Sequence, residues 1–484
     1  MLETLKPQNV FVIFEQICSI PHGSGNTKEI SDFICNFAKE NNLKYVQDAT
    51  NNVIVYKPGS KGYENAEPVM MQAHIDMVCE KNFETDARFD FENDPLKLAV
   101  MDDYVFARGT TLGGDDGIGV AMMMAILSDD TLVHPPLECV FTVDEEIGMI
   151  GAKALNVSLL KSKKLINLDH EDEGVILTSC AGGKKAIVSV PVRRIEKSGV
   201  KYNIVICGLL GGHSGTEISK YRGNANLFMG RLLHFLESRI EFDLINISGG
   251  LQDNAISREC NAEILVKEED VDKLEDIFAA FEKILKNEYR TVEKNMMIYC
   301  ENCDVSKEKV LTYKTMQRVI FLLMTLPDGV QRMSPDTDDL VQTSSNVGII
   351  KLSKESFSVI ISIRSSVTSE KEFLSSKIKY LVETIGGTYE EEGDYPAWEY
   401  IEESELRDLA IKCFADVYGE EPKVEGIHAG LETGVFYNKI EGLDIISIGA
   451  EVLDIHTPKE RLNVLSTERV YKVILELLKH LAMD

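Results

Sequence analysis

Two adjacent glutamates, Glu145 and Glu146, follow an aspartate in FTVDEEIGMIGA, directly after the apolar run LECVFTV. Burying unpaired carboxylates costs several kcal/mol or forces them to take up protons. Acids at the end of an apolar strand therefore mean either that the strand ends in solvent or that a positive charge is held there. Four other stretches pose the same question. In MQAHIDMV, His74 and Asp76 stand two apart, so on a strand they share a face. A carboxylate there can accept the imidazole N–H and fix the tautomer of a metal-ligating His; the plain alternative is a satisfied buried histidine. In GTTLGGDDGIGVA, Asp115 and Asp116 sit in a glycine-rich turn before a helix. The spacing fits neither dinucleotide nor Walker loops, and two acids repel phosphate, so the turn favours a cation or is capped by its own aspartates. INLDHEDEG ends a strand at Asp169, and DIHTPKERL places His456 after an apolar strand. Each of these two alone reads equally as solvated loop.

Taken together, His74, Asp115, Glu146, Asp169 and His456 supply the five ligands that two metals need when one carboxylate bridges them. Glu145, beside a ligand, is left free to move protons.

These residues need elements that bring strand ends together. Helical spacing of apolar residues covers residues 9–19 and 27–40, YVQDATNNVIVYKP reads as a hairpin, and PVMMQAHIDMV, LECVFTV and KKLINLD read as strands. GIGVAMMMAILSD reads as a helix. Strand–helix alternation implies an α/β layer with a mostly parallel sheet, and ligands gather at the strand ends of such sheets. From about residue 184 the texture changes to half-buried strands. Two stretches, from NAISRECNAEILV and from NVGIIKLSKESFSVIISIRSS, each read strand, strand, helix about 100 residues apart. The predicted organisation is a split domain, 1–183 and 395–484, interrupted by an α+β insert of two similar halves at 184–394.

The length of 484 residues agrees with two domains, and 44% hydrophobic with 27% charged residues is a globular balance. A net charge of −28 argues against nucleic acid as a partner. No apolar run is long enough to span a bilayer, the N-terminus lacks the build of a secretory signal, and the ten cysteines are scattered. These features predict a cytoplasmic protein with no membrane partner. The one C-x-x-C, Cys300 and Cys303, has no second pair at zinc-site spacing.

The ordered set HIDMV, TTLGGDDGIG, DEEIGMIGA, NLD, GGHSG and HTPKERL resembles the co-catalytic zinc exopeptidases related to aminoacylase and carnosinase. ICSIPHGSGNTKEISDF and IHAGLETG are similar to the aminoacyl-histidine dipeptidase subgroup, also called cytosol nonspecific dipeptidases, and the resemblance spans essentially the whole chain. It implies that His74 and Asp169 hold one zinc, Glu146 and His456 a second, and Asp115 both, with a cis peptide between Asp115 and Asp116. Manganese or cobalt could substitute. It departs at Asp116, where many relatives carry Asn. It implies that Asp76 orients His74, that Glu145 is general base and then acid, and that the insert is a lid whose His213 stabilises an oxyanion. Arg364 is expected to pair with the free carboxylate of a dipeptide. Asn224 is a candidate substrate contact, as is Glu432, for the substrate amino group; the alternative for Glu432 is a supporting role beside His428. The implied reaction is hydrolysis of unblocked dipeptides, Xaa-His, β-alanyl-histidine and broader; an aminoacylase-type amidohydrolase acting on N-acyl amino acids would share every ligand. Relatives with a short lid dimerise so that the lid His can reach across. A homodimer is compatible with this chain, but its doubled insert predicts that dimerisation is dispensable for catalysis.

Overall fold

The computed structural model describes residues 1–85 and 87–483, and its chain divides into two compact units. The first comprises Met1–Cys180, Trp398–Gly426 and Leu431–Asp484; the second comprises Ala181–Ala397 and Ile427–Gly430. The short piece Ile427–Gly430, which includes His428, returns to the second unit although the sequence pattern around it belongs to the first.

The first unit is built on an eight-stranded sheet in the order Lys44–Gln47, Val53–Lys57, Leu137–Thr142, Val69–His74, Lys164–Asn167, Asp444–Ser447, Val175–Cys180 and Lys423–Ile427. Its centre is parallel: Leu137–Thr142, Val69–His74, Lys164–Asn167 and Asp444–Ser447 all run the same way. The predicted hairpin forms the antiparallel edge, with Lys44 opposite Tyr56. Every residue of Val69–His74 and of Leu137–Thr142 is buried, as expected for central strands covered on both faces. One cover is the helix Gly114–Ser128, buried from Gly114 through Leu127 and packed against the helix Gln8–Cys18. Its run of Ala, Met, Ile and Leu is apolar all round, which is what a helix enclosed on every side requires. A small second sheet orders Val452–Leu453, Arg461–Asn463, Tyr104–Ala107 and Leu98–Met101.

The second unit carries a sheet whose main path runs Met297–Leu311, Arg194–Cys207, Cys260–Val266, Phe242–Gly249, Val341–Leu352, Ser356–Ser365, Gly182–Pro191 and Thr388–Tyr395. Two half-sheets meet where Ser248 pairs with Lys351 and Gly249 with Ile350. Helices Ala225–Glu237 and Val271–Glu288 belong to the first half in sequence, Tyr313–Thr325 and Thr368–Thr384 to the second. The two halves are not alike in one respect. The first strand read into NAISRECNAEILV is only Ala255–Ile256, and it leaves the main sheet to pair with Gly212–His213. Cys300 and Cys303 lie on the strand Met297–Leu311, and neither forms a disulfide.

Candidate active site

Three neighbouring parallel strands end at one edge of the first unit's sheet, and each delivers an acid or imidazole there. His74 is the last residue of its strand, Glu145 and Glu146 follow Leu137–Thr142, and Asp169 follows Lys164–Asn167. Asp115 arrives from the first turn of the buried helix, after Gly113 turns the chain at φ 67°. The Asp115–Asp116 peptide is cis. His456 comes from the hairpin loop between Val452–Leu453 and Arg461–Asn463, itself at φ 59°.

The side chains converge. His74 Nε2 lies 3.0 Å from Asp115 Oδ1 and 3.3 Å from Asp169 Oδ1. His456 Nε2 lies 3.2 Å from Asp115 Oδ2 and 2.9 Å from Glu146 Oε1. Asp115 thus turns one oxygen to each imidazole. Ligand atoms of His74, Asp115 and Glu146 all fall within 4.8 Å of one another. This crowding strains the acids. Burial, reinforced by Asp115, pushes the Asp169 carboxyl up to about 7 against the pull of His74. Burial disfavours the charged Asp115, but the two imidazoles outweigh it and hold its carboxyl well below the usual range. Hydrogen bonds to Asp115 and Glu146 push His456 up to about 11. Carboxylates and neutral imidazoles together form an oxygen and nitrogen donor set that fits a pair of divalent ions. Asp116 is buried with Oδ2 unpartnered among the described residues, and burial and Asp169 raise its carboxyl well above the usual range.

Asp76 lies against His74, as read in the sequence, and holds the glutamate loop as well. The nearest acceptor to His74 Nδ1 is the Asp76 backbone carbonyl at 2.9 Å; its carboxylate is 3.5 Å away. That carboxylate instead accepts from the Glu145 N–H at 3.0 Å, the Glu146 N–H at 3.4 Å and Ser24 Oγ at 2.8 Å. It orients the imidazole through its own backbone and the glutamate loop through its side chain. Glu145 is partly buried, and burial, with Asp169, Glu432 and Glu146 adding to it, raises its carboxyl well above the usual range despite His74.

Glu432 is 0% exposed, and its Oε2 accepts from Gln72 Nε2 and Thr142 Oγ1, each at 2.6 Å. Gln72 Oε1 in turn accepts from Asn167 Nδ2 at 2.7 Å. Full burial corrects the substrate-contact reading: Glu432 belongs to a polar network beneath the sheet edge. The signal for this network was present in the sequence. Gln72 and Asn167 are polar residues in apolar strands, two positions before His74 and Asp169 and so on their face.

The second unit holds its own cluster. His213 lies on a loop whose ends are pinned by Glu293, which accepts from the N–H groups of Leu210 and Gly223, each at 2.9 Å. The His213 N–H donates to Glu217 at 2.9 Å. Arg364 Nη2 stands 3.5 Å from His213 Nε2, Nη1 donates to Tyr395 OH at 3.0 Å, and Nε has no partner among the described residues. His428 bonds Ser344 Oγ at 2.7 Å, and burial together with Arg364 pushes its imidazole down to about 3. An arginine with an unpartnered edge beside neutral imidazoles suits an anion. Asn224 is corrected: it is 4% exposed and caps the helix Ala225–Glu237. Its Oδ1 accepts from the Asn226 N–H at 3.0 Å, and its Nδ2 donates to Asp328 and to the Val347 carbonyl, each at 3.1 Å. Nothing of the amide is left over for a substrate.

A doubly covered α/β sheet with paired acids and imidazoles at its strand ends defines the class of metal-dependent hydrolases. A sequence model of Peptidase family M20/M25/M40 matches residues 70–482, and the chain belongs to that family. It is 36% identical over 482 residues to the cytosol non-specific dipeptidase of Escherichia coli, covering 99% of each chain. The crystal structure of aminoacylhistidine dipeptidase from Vibrio alginolyticus superimposes with a TM-score of 0.91 at 34% identity, over 99% of this chain and 98% of that one. Human carnosine dipeptidase 1 shares the fold at a TM-score of 0.51 and 12% identity, over 98% and 96% of the two chains.

Proposed function

We propose that the protein is a zinc-dependent dipeptidase of the cytoplasm, hydrolysing unblocked dipeptides, Xaa-His among them. The observation that carries the reading is Asp115, one carboxylate facing two imidazoles, each of which has a further acid beside it. His74 and Asp169 would hold one zinc, Glu146 and His456 the other, and Asp115 both; manganese or cobalt suits the same donors. When bound, such a metal pair lowers the pKa of a water and polarises a peptide carbonyl. The remaining steps belong to the chain. Glu145 accepts the proton of the attacking water on its carboxylate and returns it to the leaving amine. Asp76 keeps the Glu145 backbone in place for that transfer, through the hydrogen bond already described. His213 stabilises the oxyanion, and the guanidinium of Arg364 pairs with the substrate carboxylate. The relatives named above as dipeptidases support this substrate class over N-acyl amino acids.

The test is release of free amino acids from Leu-Gly, Ala-His and β-Ala-His by zinc-loaded and chelator-treated protein side by side. Zinc-dependent cleavage is expected. No cleavage of any dipeptide by folded, zinc-loaded protein, with turnover of N-acyl amino acids instead, would replace the dipeptidase with an aminoacylase.

A further inference from the structure

Glu460 has no part in the hydrolysis just described. It is 3% exposed, and its carboxylate accepts from four consecutive backbone N–H groups. Oε2 takes those of Leu112 at 2.7 Å and Gly113 at 3.2 Å; Oε1 takes those of Gly114 at 2.7 Å and Asp115 at 3.4 Å. Gly113, in the left-handed region at φ 67°, curls the chain so that successive N–H groups point to one spot. The result is a nest at the start of a long helix, a concavity that suits an anion. The glycine-rich loop therefore does have the shape of an anion cradle. A carboxylate of the same chain fills it.

The other end of this contact matters as much. Glu460 lies four residues after His456 in one hairpin loop. That loop is tight: the Glu460 N–H donates to the Thr457 carbonyl at 3.0 Å, and Thr457 Oγ1 donates to the Asp454 carbonyl at 2.7 Å. Arg461 closes it with an ion pair to Asp454 at 2.5 Å. One short rigid loop thus carries an imidazole facing Asp115 Oδ2 and a carboxylate gripping the Asp115 backbone.

We propose that Glu460 is a positioning residue for metal binding: it ties the His456 loop to the Asp115 turn and so fixes the bridging carboxylate and the imidazole relative to each other. This rests on the assignment of Asp115 and His456 as metal ligands. A carboxylate is required because both of its oxygens accept. In Glu460→Gln the amide NH2 would confront two backbone donors, either those of Leu112 and Gly113 or those of Gly114 and Asp115, and loosen the turn.

The experiment is titration of metal-free protein with zinc against a chromophoric chelator, and the visible spectrum of the cobalt(II) form. In folded Glu460→Gln, zinc affinity should fall about 10- to 100-fold and the cobalt bands should shift. A residue that only stabilised the fold would lower the melting temperature and leave both unchanged at temperatures where the variant is folded, and that result overturns the proposal. If Glu460→Gln does not fold, Gly114→Ala serves: its Cβ would meet Glu460 Oε1 at 3.3 Å and Val452 Cγ1 at 3.2 Å, tight enough to displace the carboxylate within the nest. Wild-type affinity and spectrum in that variant would equally overturn the proposal. Wild-type protein that binds no zinc would overturn the ligand assignment itself, a different failure from an unaffected variant.

Discussion

At the scale of single residues, two glutamates near the strand ends should behave in opposite ways when neutralised. Glu145 is held over the site by its own backbone N–H to Asp76, and burial makes its carboxyl a stronger base than an exposed one. Glu145→Gln should lower kcat/KM by roughly 10²- to 10⁴-fold, the span of general acid–base catalysis, with metal content unchanged by elemental analysis. Wild-type turnover would remove it from the mechanism. Glu432 should instead be improved. Burial raises its carboxyl to about 8, so in the folded metal-free protein it holds its proton at pH values where in the unfolded chain, with its ordinary value of 4.5, it is ionised. The folded state then binds the extra proton, and stability is intact below about pH 4.5 and is lost as pH rises through about 8. The slope is up to about 1.4 kcal/mol per pH unit within that window. Glutamine copies the acid form, with an oxygen for Thr142 and Gln72 and a donor in place of the hydroxyl. Denaturant melts of metal-free Glu432→Gln should match wild type near pH 4.5 and exceed it increasingly towards pH 8; equal slopes would show that the carboxyl ionises normally.

At the scale of elements, the strands that present His74, Glu146 and Asp169 were legible because central parallel strands are mostly apolar, and an acid or imidazole stands at or just past the C-terminal end of each. The hairpin at 44–57 and the helix after GGDDGIG were legible for similar reasons of turn and period. Other residues were hidden by the kind of contact they make. Glu460, Glu293 and the Asp76 carboxylate all grip backbone N–H groups, and such a partner leaves no mark in side-chain spacing. Asn224 shows the converse error: a polar residue just after a glycine looks available, yet its amide is consumed capping a helix and holding Val347. Glu293 gives an element-scale prediction. It joins both ends of the loop from Leu210 to Gly223, and a glutamine there would set its NH2 against one of the two donors. Glu293→Gln should cost about 1–3 kcal/mol and speed proteolytic cleavage within 210–223. It should lower kcat/KM through His213 while zinc affinity stays at the wild-type value. Unchanged proteolysis would mean that the loop is held elsewhere.

At the scale of the whole molecule, the second unit joins two half-sheets in one chain. Its half-sheets join through the strand pairs Ser248–Lys351 and Gly249–Ile350, and the amides of Asn224 and Asn226 reach across to the Val347 carbonyl. His213 is contributed by the first half and Arg364 by the strand Ser356–Ser365 of the second, and the two side chains stand 3.5 Å apart. Both residues belong to the same chain, so chain connectivity brings the pair together. The entropy of association, several kcal/mol or more for two free subunits, is thereby removed from assembling the pair. Turnover per chain should accordingly be independent of protein concentration through the range where sedimentation shows a monomer. His213→Ala and Arg364→Ala proteins, when mixed, should not complement each other, because neither residue is supplied in trans. Recovery of activity on mixing, or an obligate dimer whose monomer is inactive, would show that the second half of the insert does not replace a partner.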